Sequence, residues 1–188
     1  MDNIKSSGKA RIYPNEFTQK AKHYAISKHA ACNQMYDEYL PYEMHLRMVV
    51  KTAERFLHLI PDEHKDYVIA GCWCHDLIED TQENYNSVRN HTSVMAAEIA
   101  RACTNLTRGR TREERMPDWI YEDIKATPYA TFTKLCDRIA NGQYSKMTGS
   151  SMYEKYQKEH AHFKKMLYTP GYLEEMWSYL EEIFGINK

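Results

Sequence analysis

Long apolar runs are missing from this chain of 188 residues. The longest fall far short of the roughly 20 residues that a bilayer span requires, so no membrane partner is expected. The N-terminal stretch MDNIKSSGKARIYPNEF has no apolar segment, and a secretory signal is not expected either. Charge of one sign is also lacking. With 25 Lys and Arg against 26 Asp and Glu, the formal net charge is −1. Such a chain has no overall field to draw it to nucleic acid or to an anionic membrane. Cysteine is too scarce for a disulfide framework: Cys32, Cys72, Cys74, Cys103 and Cys136 make an odd number without framework spacing. A reduced, cytoplasmic protein with enough length to bury a real core is the expectation. Glycine and proline, seven and six residues, are too few for a strand-and-turn rhythm. There is no Gly-rich phosphate loop, no Ser/His/Asp order, no Cys-nucleophile signature and no internal repeat.

What is present reads as helix nearly throughout. The patterning predicts helices at about 15–36, 42–60, 62–80, 92–106, 111–125, 128–147, 151–168 and 171–184, with ends uncertain by roughly 2–4 residues. Thr127-Pro128 and Thr169-Pro170 each offer a capping hydroxyl followed by proline at a first helical position. Ala96, Ile99, Ala100 and Cys103 form one apolar stripe. The aromatic C-terminal third reads as two amphipathic helices over the core, carried by Tyr156, His160, Phe163 and Leu167. Its aromatics leave a homo-oligomer open.

One segment departs from ordinary helix composition. In GCWCHDLIEDTQ, residues 71–82, an apolar run carries a histidine and three carboxylates. On a helix, positions i, i+1, i+4 and i+5 fall within about 140° at about 100° per residue. His75, Asp76, Glu79 and Asp80 occupy that pattern, while Trp73, Cys74, Leu77 and Ile78 are left for packing. Three carboxylates on one face repel, and a divalent cation that accepts imidazole nitrogen and carboxylate oxygen together removes the conflict. The bare dipeptide says little, since nine histidines and nine aspartates predict about 0.4 His-Asp pairs by chance. Its placement directly after an apolar run is what argues against a solvated face. Further ligands must come from elsewhere. His45 in YLPYEMHLRMVV and Asp137 in TFTKLCDRIANGQ are the candidates. A carboxylate among Leu135, Cys136 and Ile139 is costly unless paired or metal-bound. Arg138 is its plain alternative partner, pointing about 100° away, and Asn141 shares its face. The CxC of Cys72 and Cys74 is not read as a zinc site, because on a helix those thiols diverge by about 160°. The other histidines read as surface or packing residues.

The ordered set YEMH, HDLIEDT and CDRIAN, over roughly residues 25–145, resembles the HD superfamily of metal-dependent phosphohydrolases. Within it the chain is most similar to the hydrolase domain of the Rel/Spo alarmone enzymes and the single-domain small alarmone hydrolases. The resemblance implies an all-α fold, a compact HD-domain helical bundle. Length points to a single domain over residues 1–188, and the polar, glycine-containing start, residues 1–13, reads as a loose tail. The resemblance implies metal ligation by His45, His75, Asp76 and Asp137, with manganese as the ion. Glu79 and Asp80 match the pair that positions and activates the attacking water, and Asn141 and Lys134 are expected to contact substrate.

The implied activity is hydrolysis of the 3′-pyrophosphate of (p)ppGpp-like alarmones, with a small nucleotide as partner. One window departs from the family. Asn33-Gln34-Met35 stands where a basic run is usual, which removes two or three positive charges and a stacking guanidinium from the nucleotide pocket. The segment LTRGRTREER, residues 106–115, reads as a solvated basic loop or as a source of compensating cations. The departure keeps open another substrate, such as NADPH or a nucleoside monophosphate. A partner-binding protein that neutralises a synthetase is the alternative of another class.

Overall fold

A computed structural model describes residues 15–105 and 111–186. The tail expected over residues 1–13, and residues 106–110 of the basic segment, lie outside the described residues. Helix α1 spans Glu16–Ala31 and starts on a reciprocal cap. The Asn15 side chain accepts the Thr18 amide while the Thr18 hydroxyl accepts the Asn15 amide. The first predicted helix ends there, five residues early. Asn33 (φ 51°) and Asp37 (φ 64°) take left-handed conformations that these residue types tolerate. Between and beyond them, β1 (Met35–Tyr36) and β2 (Leu40–Pro41) pair antiparallel, Met35 against Pro41 and Tyr36 against Leu40.

Helix α2 spans Glu43–Arg55, and a 3-10 turn, Leu57–Leu59, takes up the rest of the second predicted helix. The third predicted helix is divided. A 3-10 turn at Asp62–His64 leads into α3 (Lys65–Cys74), His75 and Asp76 follow as a break, and α4 is the single turn Leu77–Asp80. Helix α5 (Tyr85–His91) was not expected. It is short and polar, but the Asn84 side chain accepts the amides of Asn86 and Ser87 and nucleates it. Helices α6 (Val94–Cys103), α7 (Arg112–Arg115), α8 (Asp118–Ala126), α9 (Ala130–Thr148), α10 (Met152–Leu167) and α11 (Glu174–Phe184) complete the described chain.

Neither predicted Thr-Pro start is used as a cap. Thr127 closes α8 instead, its amide bonding the Asp123 carbonyl, and α9 begins after Tyr129 at φ 64°. Thr169 bridges to Tyr172 around Gly171 at φ 79°, and α11 begins after Leu173. The Thr127 hydroxyl instead accepts from Arg101 Nη2 at 3.3 Å, and the Thr169 carbonyl accepts the Tyr172 amide in a turn.

Helix α3 packs against α1, α2 and α6, and α9 packs against α2, α6 and α11. All residues from Val68 to Cys74 are buried, so beyond its first turn α3 has no solvent face. Polar chemistry can enter it only at an end, which is where His75 and Asp76 stand. Gly71 sets its approach to α6: a Cβ there would come within 2.8 Å of Ile99 Cδ1. The expected apolar stripe of α6 (Ala96, Ile99, Ala100, Cys103) is buried at this contact. Helices α10 and α11 cover the core with His160, Phe163, Leu167, Met176, Trp177 and Leu180.

After α4 the chain is tied back to α1. Tyr24 donates its hydroxyl to Glu83, and Lys28 Nζ stands 2.7 Å from Glu83 Oε1. Burial alone would raise the Glu83 carboxyl. The hydrogen bonds from Lys28 and Tyr24 outweigh it and bring the pKa down from 4.5 to about 2. The stability from this pair is therefore present above 4.5 and lost as pH falls through about 2. Glu83→Gln is expected to cost about 1–2 kcal/mol at neutral pH, discounted for the exposed Lys28, and to flatten the stability profile across that window in urea titrations. Gly71→Val should overpack the α3–α6 contact by about 1–3 kcal/mol. That lowers the melting temperature by roughly 2–4 °C per kcal/mol, and an unchanged melting temperature would contradict the close approach.

Candidate metal centre

Three helices and one break deliver the polar cluster. His45 projects from the first turn of α2, His75 caps the C-terminus of α3, Asp76 opens α4, and Asp137 lies in the middle of α9. Donor atoms of His45, His75 and Asp137 all lie within 4.8 Å of one another. The Nε2 atoms of the two histidines are 3.4 Å apart. Asp137 Oδ1 is 3.3 Å from His45 Nε2 and 4.0 Å from His75 Nε2. Asp76 Oδ2 is 2.9 Å from His75 Nε2 and 3.5 Å from His45 Nε2. The structure thus brings together all four residues singled out in the sequence, from segments far apart in the chain.

The backing of these groups sets their proton chemistry. His75 Nδ1 lies 2.9 Å from the Cys72 carbonyl, which can only accept, so the proton is on Nδ1. In the neutral ring, Nε2 then carries its lone pair toward the carboxylates. Lone pair and carboxylate repel unless a positive charge stands between them. Burial alone would lower the His75 pKa, but the Asp76 charge and hydrogen bond raise it to about 9. His45 is likewise raised against its burial by Asp137 and Asp76. Burial pushes the Asp76 and Asp137 carboxyls upward, and the two imidazoles, with Lys134 for Asp137, hold both below the usual carboxylate range.

This donor set fits a divalent ion. It offers two imidazole nitrogens and two carboxylates, the mixture that zinc and manganese accept. Bonds of about 2.1 Å place neighbouring ligand atoms about 3 Å apart, close to the separations found here. The outer groups fit as well. Tyr42 donates its hydroxyl to Asp76 Oδ2, and Asn141 Nδ2 donates to Asp137 Oδ1 at 2.5 Å. Lys134 is buried, 3.6 Å from Asp137 Oδ2 and 3.2 Å from the Cys103 carbonyl that it donates to. Arg138 turns away, as its helical position implies, to Glu159 Oε2 at 3.0 Å and the rings of Tyr156 and Phe163.

His45, Asp76 and Asp137 form one wall of a pocket of about 210 Å³, which Glu79, Asp80, Asn105, Lys134 and Asn141 also line, while His75 is fully buried. Asp80 is raised by burial and then by the Asp76 charge, against hydrogen bonds from Gln34 and Tyr42. Both oxygens of Glu79 accept from Asn105, its amide at 2.9 Å and its Nδ2 at 3.0 Å. Tyr36, Asn141 and Tyr156 are shared with an adjoining cavity of about 180 Å³.

Sequence reasoning gave no role to Tyr36, Tyr42 or Asn105. Tyr42 had a usable signal, lying three residues before His45 in YEMH. Tyr36 and Asn105 had none, because they sit on a two-residue strand and beyond a helix end. His29, read as a packing residue, is buried and stacks on Tyr42 with ring centroids 4.5 Å apart. Of the unusual window, Gln34 Oε1 lies 2.5 Å from His29 Nδ1, and Met35 is exposed.

No protein-family model matches the chain, and no curated protein matches it by sequence. Its fold does match a solved structure. A metazoan ortholog of SpoT, which hydrolyzes ppGpp and plays a role in starvation responses, aligns over 93% of this chain and 97% of its own, with a TM-score of 0.73. Sequence identity is 20%, so the likeness establishes the fold: the chain has the all-α architecture of that hydrolase. No helix among the described residues is long and apolar enough to cross a membrane.

If these four side chains hold an ion, calorimetric titration of chelator-stripped protein with Mn2+ should show saturable binding. Asp137→Ala and His75→Ala should abolish it, and Tyr42→Phe should weaken it about tenfold by freeing Asp76. Equal affinities in the wild type and Asp137→Ala would place the ion elsewhere.

Proposed function

We propose that this chain is a metal-dependent phosphohydrolase that removes the 3′-pyrophosphate of (p)ppGpp-like alarmones, with Mn2+ as its ion. The observation that carries this reading is the meeting of His45, His75, Asp76 and Asp137 beside an acidic pair, Glu79 and Asp80, in one pocket. A fold shared with a solved ppGpp hydrolase supports it.

When bound, a divalent ion supplies Lewis acidity, which makes water more acidic and withdraws charge from a phosphoryl oxygen. His45, His75, Asp76 and Asp137 are its ligands in this proposal. Glu79 and Asp80 orient the attacking water, and Asp80, raised by burial and by Asp76, accepts its proton. Water adds to the phosphorus as the bond to the 3′ oxygen breaks. That oxygen takes up a proton, pyrophosphate leaves, and the 5′-phosphates are untouched. Lys134 and Asn141 face the same pocket as substrate contacts. The adjoining cavity, with Tyr36, Tyr144 and Tyr156 in its wall, offers ring faces for the nucleoside.

A second reading keeps the chemistry and changes the nucleotide, to NADPH or a nucleoside monophosphate. It is favoured by the lack of cations in the window 33–35 and by the engagement of the two pocket cations, Lys134 with Asp137 and Arg138 with Glu159.

Both readings meet one assay. Chelator-stripped protein is restored with Mn2+ and incubated with (p)ppGpp, (p)ppApp, NADPH and nucleoside monophosphates, while pyrophosphate and phosphate are followed separately. Pyrophosphate release from ppGpp is expected; phosphate release from NADPH or a monophosphate alone would select the second reading. Glu79→Ala should keep its Mn2+ affinity and lose about 10²-fold or more in turnover, the order of loss that a misplaced reactant produces. Full activity in that variant would remove Glu79 from the mechanism.

A further inference from the structure

Asn105 stands two residues past the end of α6, where the Thr104 amide bonds the Arg101 carbonyl and the Thr104 hydroxyl bonds the Ala100 carbonyl. With the helix closed behind it, both donors of Asn105 converge on one carboxylate. Its backbone amide lies 2.9 Å from Glu79 Oε2, and its side-chain Nδ2 lies 3.0 Å from Oε1. A carboxylate only accepts, so the polarity of both bonds is fixed, and so is the orientation of the side-chain amide. Two donors on two different oxygens also fix the plane of the carboxylate, whose terminal torsion is otherwise broad.

Helix α4 gives Glu79 little of its own. It is a single turn beginning after Asp76, and the Glu79 side chain projects from it toward the pocket wall. The hold on that carboxylate therefore comes from another element, the end of α6. It has a cost: Asn105 Oδ1 is buried with no hydrogen-bond partner among the described residues. A residue serving stability alone gains little from that arrangement.

We propose that Asn105 is a positioning residue, which locks the Glu79 carboxylate so that its remaining lone pairs meet the attacking water in a fixed direction. This rests on the phosphohydrolase reading. Asn105 acts through Glu79 and leaves proton acceptance to Asp80.

The test uses the full chain and Mn2+. Asn105→Ala removes one of the two donors, so kcat should fall about tenfold, the equivalent of about 1.4 kcal/mol. KM and Mn2+ affinity should stay within about twofold, because Asn105, although it lines the pocket, spends both of its hydrogen bonds on Glu79. In a Glu79→Ala background the same change should have no further effect. A parallel fall in Mn2+ affinity, or an undiminished effect without Glu79, would overturn the proposal.

A second measurement needs no turnover. In nitrogen-15 spectra, Glu79→Ala should shift both Asn105 amide signals and speed hydrogen exchange of the backbone amide. Unmoved signals would show that the clamp does not exist in solution. Absence of turnover on every nucleotide, with those shifts present, would instead reject the phosphohydrolase reading and the positioning role with it.

Discussion

Two carboxylates and two imidazoles are buried facing one another at the junction of α2, α3 and α9, and that electrostatic conflict governs what the molecule can do. His75 cannot turn away, because the Cys72 carbonyl holds its other nitrogen. Asp76 and Asp137 show only a small part of their surface, to the pocket, and hydrogen bonds from Tyr42 and Asn141 hold them in place. A positive charge must therefore occupy the space between them, as a proton on imidazole or as a divalent ion. Desolvation of such a cluster is expensive, and the surrounding donors (Tyr42, Asn141, Lys134) offset part of it while fixing each oxygen's direction.

The fold reads as the means of enforcing that meeting. The stretch of α3 from Val68 to Cys74 is enclosed on all sides and admits polar side chains only where it stops. Across the break after Cys74 both residues keep right-handed helical torsions, and their side chains meet at one point, Asp76 Oδ2 2.9 Å from His75 Nε2. The short turn of α4 then carries Glu79 and Asp80 along the same pocket. The β1–β2 hairpin lays Tyr36 over His45, with ring centroids 5.0 Å apart, and its hydroxyl on Asn141. With Tyr42 and Tyr144 packed against it, Tyr36 forms an aromatic wall beside the cluster.

The helical character and the order of the chemistry-bearing motifs were legible in the chain itself. Composition, sparse glycine and the spacing in 71–82 point to an all-α fold with an acidic, histidine-containing corner. Several local readings failed, each for its own physical reason. Thr127 and Thr169 carry good capping chemistry, yet the Thr127 hydroxyl is taken by Arg101 from another helix and Thr169 enters a turn with Tyr172. Periodicity ran straight through His75 and Asp76 because apolar and polar residues alternate there at helical spacing, although the backbone does not continue as one helix. Helix α5 escaped notice because its stability comes from a cap rather than an apolar face.

What the sequence by itself determined is which atoms are available: imidazole nitrogens, carboxylate oxygens and a helical chain to carry them, set by residue types and local spacing. What only the tertiary structure decided is which of those atoms meet. Asn105 against Glu79, Tyr42 against Asp76 and Tyr36 against Asn141 join residues 26, 34 and 105 positions apart. Such pairings depend on how helices cross and where they stop, and no one-dimensional period encodes that.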